Sequence, residues 1–222
     1  MKMDFSAVWN RLWYDIPYQL NPQQSTACNA LYVDLLAAYA EPHRHYHTQQ
    51  HLAECLELWQ EYYDVADDPV ALGLALWFHD AVYDPLAKDN EARSAEWARR
   101  ALPACGLPSE QVHMVATLVL ATQHGKSLLH VNDCPDMALI RDIDLAIFGA
   151  GRARFAEYEA QIRAEYPALN EAEFQAGRQA VLQGFLQRRI YQLPDFYEGY
   201  EATARHNLES ALSKTMACAF LA

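Results

Sequence analysis

The stretch D-D-P-V-A-L-G-L-A-L-W-F-H-D-A-V-Y, from Asp67 to Tyr83, decides the reading of this chain. Asp67-Asp68-Pro69 has the form of a helix start, an acidic N-cap followed by proline in the first turn. Val70 to Phe78 is so apolar that the helix it opens looks built for a core. His79 and Asp80 then close the run. An imidazole and a carboxylate at that place are costly unless something satisfies them, and a divalent cation would do so. The plainer alternative is a helix end that tolerates a histidine, with Asp80 paired to an arginine.

Helical periodicity continues on both sides. Phe5, Val8, Trp9, Leu12 and Trp13 follow the i, i+3, i+4 pattern of an amphipathic helix. Asn21-Pro22 is a break, a helix is expected from about Gln24 to Tyr39, and Pro42 stops it. The next helix is expected to carry His47, His51, Leu52, Cys55, Leu58, Trp59 and Tyr62. Beyond Tyr83-Asp84-Pro85 a loop runs to about Lys88, and Asn90 starts a helix through Ala101. Gly106-Leu107-Pro108-Ser109 opens a helix from Gln111 to Thr122. After a loop around Gly125 to Pro135, Asp136 is expected to cap a helix through Phe148, ended by Gly149 to Gly151. Three more helices are expected, broken near Tyr166-Pro167 and at Leu193-Pro194. No run shows the sustained period-2 alternation of strands. The reading is all-α, a single compact helical domain over 1–222, with a core of about 23–150 and C-terminal helices 151–219 packing on it.

Composition narrows the function classes. Of 222 residues, 52% are hydrophobic, enough for a buried core. The net charge is -12 and the pI about 5.1, which disfavours binding to nucleic-acid polymers or anionic membranes. A local basic pocket for one phosphate stays compatible with that balance. Asp4 and Arg11 interrupt the N-terminal apolar residues, so no signal-peptide core is read there. No run approaches the roughly 18 apolar residues of a membrane span. The cysteines Cys28, Cys55, Cys105, Cys134 and Cys218 are odd in number and form no C-x-x-C pair. They read as reduced thiols in a cytoplasmic protein rather than as a zinc site. Tyr, Trp and Leu on helix faces are compatible with a homodimer.

Two further segments hold metal-liking side chains. In R-H-Y-H-T-Q-Q-H, Arg44 to His51, a helix would put His47 and His51 on one face. Both could serve one metal, or one could bind metal while the other faces substrate; the alternative is an exposed polar turn. In I-R-D-I-D-L-A-I-F-G-A, Ile140 to Ala150, Asp142 and Asp144 are two apart, so at most one readily joins a site on either face. Asp144 is the better candidate. His51, His79-Asp80 and Asp144 make a mixed N/O set suited to Mn, Fe, Co, Ni, Zn or Mg.

Together these motifs resemble the HD-domain superfamily of metal-dependent phosphohydrolases. The segments R-x-Y-H-x-x-x-H, W-F-H-D-A-V-Y, D-N-E-x-x-S-A and D-I-D-L-A-I-F-G are similar to the branch described as predicted metal-dependent HD-superfamily phosphohydrolases. So is R-R-I-Y-Q-L-P-D-F-Y with E-A-T-A-R-H-N-L, between Arg188 and Leu208, so that the likeness covers about residues 5 to 212. The resemblance implies an HD-like helical bundle with His51, His79, Asp80 and Asp144 as metal ligands. Y-H-T-Q-Q-H is also similar to the Y-H-N-x-x-H of cyclic-nucleotide phosphodiesterases, which implies His47 as general acid and His51 as ligand. Thr48 replaces the Asn of that motif, and Asp84-Pro85 stands where those enzymes carry His-Pro.

The expected activity is hydrolysis of a nucleotide or another small phosphorylated metabolite by a metal-activated water, with Asp80 bridging if a second ion binds. Glu91 is a candidate to orient that water, or else a first-turn acid favoured by the helix dipole. Ser94 lies beside it on the same helix. Arg44, Arg141, Arg205 and His124 are candidate anion contacts, or partners of buried acids. Two other functions stay open. One is an HD-type di-iron oxygenase, with His124 and either His113 or His130 as extra ligands. The other is a non-catalytic module that binds metal or nucleotide. Gly125-Lys126-Ser127 is similar to a P-loop ending, but Leu120 stands where that pattern needs glycine.

Overall fold

The computed structural model describes residues 3–123 and 134–219, with side chains through 214. Among these residues the chain is all-α: ten helices, two short 3-10 turns and no strand. The contacts divide it into two compact units, Met1–Ile140 and Arg141–Ala222.

The first unit is built around α4 (Pro69–Phe78), whose residues from Val70 to Phe78 are all buried. Asp68 caps it by accepting from the Ala71 amide, and Pro69 fills the first turn, as its sequence requires. With no polar face, α4 is surrounded. It packs against α1 (Phe5–Tyr14), α3 (Gln49–Glu61), α5 (Asn90–Ala101) and α6 (Ser109–Ala121). Trp9 and Trp77 meet edge to face at 5.1 Å, and the Trp59 indole donates to the Pro69 carbonyl at 2.8 Å. The helix α2 (Pro22–Ala38) packs on the 3-10 turn Leu102–Cys105. Asn21-Pro22 is a start rather than only a break. The Asn21 side chain accepts from the Gln24 amide and the Gln24 side chain from the Asn21 amide, a reciprocal cap.

The division between units falls inside α7 (Pro135–Asp144), earlier than the boundary near 150 expected from the sequence. Asp136 is not a cap. Its buried carboxylate accepts from the Asp67 and Asp68 amides at 2.9 and 2.8 Å, joining α7 to the start of α4 within the first unit. Six residues on, Asp142 accepts from the Gln192 amide at 2.8 Å and the Leu193 amide at 2.7 Å, within the second unit. The single helix expected through Phe148 ends at Asp144 and tightens into a 3-10 turn, Leu145–Gly149. The Tyr191 hydroxyl explains the change: it donates to the Leu145 carbonyl at 3.0 Å and accepts from the Gly149 amide at 3.1 Å. Three helices complete this unit, as expected: α8 (Arg152–Ala164), α9 (Glu171–Leu186) and α10 (Pro194–Ala219). Phe148, Tyr158 and Phe185 form its aromatic core.

Candidate metal centre

His79 sits at the C-cap of α4 in helical backbone, and Asp80 follows in the turn. The His79 Nδ1 lies 2.8 Å from the Leu76 carbonyl. A carbonyl only accepts, so Nδ1 carries a proton, and Nε2 is the atom that offers a lone pair to a metal when the ring is neutral. That Nε2 lies 3.0 Å from Nε2 of His51 and 3.1 Å from Oδ2 of Asp80, which is 3.5 Å from the His51 Nε2. Three donor atoms from α3 and the end of α4 therefore converge. Both imidazoles are buried, at 2% and 1% exposure, where polar groups are costly unless satisfied.

Edges of this length fit a cation. Ligand atoms about 2.1 Å from an octahedral ion, at right angles to one another, stand about 3.0 Å apart. Cys55, one turn after His51, lies beside that ring, with Sγ 3.7 Å from Nδ1 and 3.8 Å from Nε2. His51, Cys55 and His79 each offer a ligand atom within 4.8 Å of the others, a group able to hold a metal ion. The sequence reading passed over Cys55, although its spacing of four from His51 was the available signal. Burial would raise the pKa of Asp80, but the charges of His79 and His47 and hydrogen bonds from His51 and His79 outweigh it. The carboxyl is held well below its usual range, so it is an anionic donor.

Two side chains brace the turn. The Tyr39 hydroxyl, wholly buried, accepts from the Asp80 amide at 3.3 Å. Arg44 lies inside the protein with its five N–H donors facing protein acceptors. Nε reaches Glu41 at 3.0 Å, Nη1 the carbonyls of His47 and Asp80 at 3.2 and 2.6 Å, and Nη2 the Ala81 carbonyl at 3.1 Å and Glu41 at 2.9 Å. As placed, Arg44 is a positioning residue for the histidine loop and the His-Asp turn, where the sequence suggested an anion contact.

His47 is not in the helix with His51. Thr48 caps α3 through its hydroxyl and the Gln50 amide, leaving His47 in the preceding turn. It is nonetheless near, with ring centroids 6.0 Å from His51, and it stacks on Tyr83 at 4.0 Å. Ser94 of α5 accepts from the Val82 amide at 3.0 Å, fixing the strand of chain after Asp80. Asn90, read only as a helix start, ties that loop through the Asp84 amide and carbonyl. Glu91 stands half-buried in the first turn of α5, and no described contact joins it to the histidines.

Asp144 belongs to the second unit, where it ends α7 half-buried. The segment from Arg188 to Leu208 acts on the backbone around it. Besides Tyr191 and the Asp142 acceptor, Asn207 donates to the carbonyls of Phe148 and Ala150 at 2.8 and 2.9 Å. Arg205 is engaged by Glu201 and the carbonyls of Leu186 and Arg188. Arg141 is buried, its pKa lowered by that burial and by Arg188. His113 is exposed on α6. His124, His130 and the Gly125-Lys126-Ser127 stretch lie outside the described residues. No family model, curated protein or solved structure matches this chain.

Proposed function

We propose that this protein is a metal-dependent phosphohydrolase acting on a nucleotide or another small phosphorylated metabolite. The observation that carries the proposal is the convergence of His51 Nε2, His79 Nε2 and Asp80 Oδ2 within 3.5 Å of one another. Three such protein donors would leave positions on the ion for water and substrate. A divalent ion so held supplies positive charge to a phosphoryl oxygen and a low-pKa water as nucleophile near neutral pH. Two neutral imidazoles with a carboxylate suit Mn, Fe, Co, Ni or Zn better than Mg, which prefers oxygen ligands. Asp80 lies 3.1 Å from the His79 Nε2 and, at 3.5 Å, nearer the His51 Nε2 than the Cys55 thiol at 3.8 Å, so it is the donor assigned here.

The chain's own groups divide the remaining work. His47, in the turn before α3 and stacked on Tyr83, is the proton donor to the leaving oxygen. Arg44 and Tyr39 hold the ligand-bearing turn still. The test is elemental analysis of purified protein, followed by turnover of a nucleotide and phosphomonoester panel with Mn, Mg, Ni and Co. His79→Ala and Asp80→Ala are expected to lose bound metal and metal-dependent turnover while keeping their helical circular dichroism. His47→Ala is expected to keep the metal and lose turnover by about 10²-fold or more. Full activity in metal-free Asp80→Ala protein would overturn the reading.

A further inference from the structure

The second unit contains a cavity of about 520 Å³ walled by α8, α9 and α10. Small-molecule sites span roughly 300–1,000 Å³, so this one is large enough for a metabolite. Arg152, Arg163, Arg178 and Lys214 line it, against one carboxylate, Glu159. In a chain of net charge -12, such a local excess of cations favours an anion. Phe155 and Phe174, both buried, give the same cavity an apolar wall.

The arginines differ in what they have left to offer. Arg163 is committed to the fold: Nε to Glu171, Nη1 to the Tyr166 carbonyl, Nη2 to the Leu169 carbonyl. Arg178 is only 8% exposed. Its Nη2 donates to the Tyr158 hydroxyl and to Glu159, while Nε is buried and meets no acceptor among the described residues. With no accessible surface that N–H cannot itself meet a ligand, so the pull of the cavity on an anion comes from the charge of Arg178 together with the exposed Arg152 and Lys214. Arg152 and Lys214 are exposed and add charge without serving the core.

We propose that this cavity binds a small amphiphilic anion, a phosphate or carboxylate group on an apolar body, independently of the metal centre. The probe is 1-anilinonaphthalene-8-sulfonate, titrated into the full-length protein and followed by fluorescence, with phenyl phosphate and phenylacetate as competitors. One saturable site is expected, weakened by salt and unchanged by EDTA. Arg152→Gln combined with Lys214→Gln changes only exposed positions and is expected to weaken it about tenfold. Arg178→Lys is expected to weaken it further, with far-ultraviolet circular dichroism reporting the fold. Displacement by phenyl phosphate identifies a phosphoryl ligand, and displacement by phenylacetate a carboxylate. Unsaturable binding, equal affinity in the Arg152→Gln/Lys214→Gln protein, or loss of binding with EDTA would overturn the proposal. If Arg178→Lys fails to fold, the exposed pair decides.

Discussion

Arg44 shows why a charged residue beside a phosphate-type site need not touch phosphate. Its guanidinium bridges the carbonyls of His47, Asp80 and Ala81, and its Cζ lies 5.4 Å from the centre of the Tyr39 ring. Replacing it with lysine supplies one ammonium where a planar fork served several acceptors. Each buried acceptor left unmet costs roughly 1–3 kcal/mol, so Arg44→Lys should lose at least about 2 kcal/mol in urea unfolding. Because those carbonyls set the turn that carries Asp80, metal affinity should also fall, by about 10–100-fold as for other groups that orient ligands. Unchanged metal affinity in a folded Arg44→Lys protein would mean that the arginine does not position the site. His79 and Asp80 could be named from the sequence because they close the apolar run of α4, and His51 from its spacing of four from His47 together with the motif resemblance. The roles of Arg44 and Tyr39 could not, since their partners at Asp80 and Ala81 lie 36 to 41 residues away.

At the scale of elements, Gly73 sets how closely the helices around α4 approach. A Cβ built there would stand 2.6 Å from Cδ2 of Leu12 and 2.8 Å from the Trp59 ring. Both side chains are fully buried and have nowhere to move. Alanine gains about 1 kcal/mol in helix propensity, but overpacking a filled core costs about 1–3 kcal/mol. Gly73→Ala is therefore expected to lower the stability of the first unit, and a rise in its melting temperature would show that α1 and α3 can yield. Helix existence was legible because apolar residues recur at helical spacing, and the Asn90–Ala101 limits agree with the sequence reading. What local pattern could not supply were the interruptions made by distant partners. Tyr191 turns the end of α7 into a 3-10 turn from 46 residues away, whereas Thr48 takes His47 out of α3 by a local cap on the Gln50 amide. Asp136 looked like a cap because the true donors to its carboxylate, the Asp67 and Asp68 amides, lie 69 and 68 residues earlier.

For the molecule as a whole, a bound ion couples chemistry to stability. Any ligand that binds the folded state and not the unfolded chain stabilises it by RT ln(1 + [L]/Kd), about 2.7 kcal/mol at a hundredfold excess over Kd. For a chain of this size each kcal/mol moves the melting temperature by about 2–4 °C, so saturating Mn or Co should raise it by about 5–10 °C. EDTA should reverse the shift. Asp80→Ala should abolish it, whereas Arg152→Gln with Lys214→Gln should retain all of it, since those residues line the other cavity. Gly73→Ala gives the complementary control. It lowers the baseline through core packing and touches no proposed ligand, so its metal-induced increment should add to the loss rather than change with it. Calorimetric scans of the four proteins with and without metal test the scheme. An equal shift in Asp80→Ala would assign the stabilising ion to some other place on this acidic chain and remove the thermodynamic support for the His51, His79 and Asp80 centre.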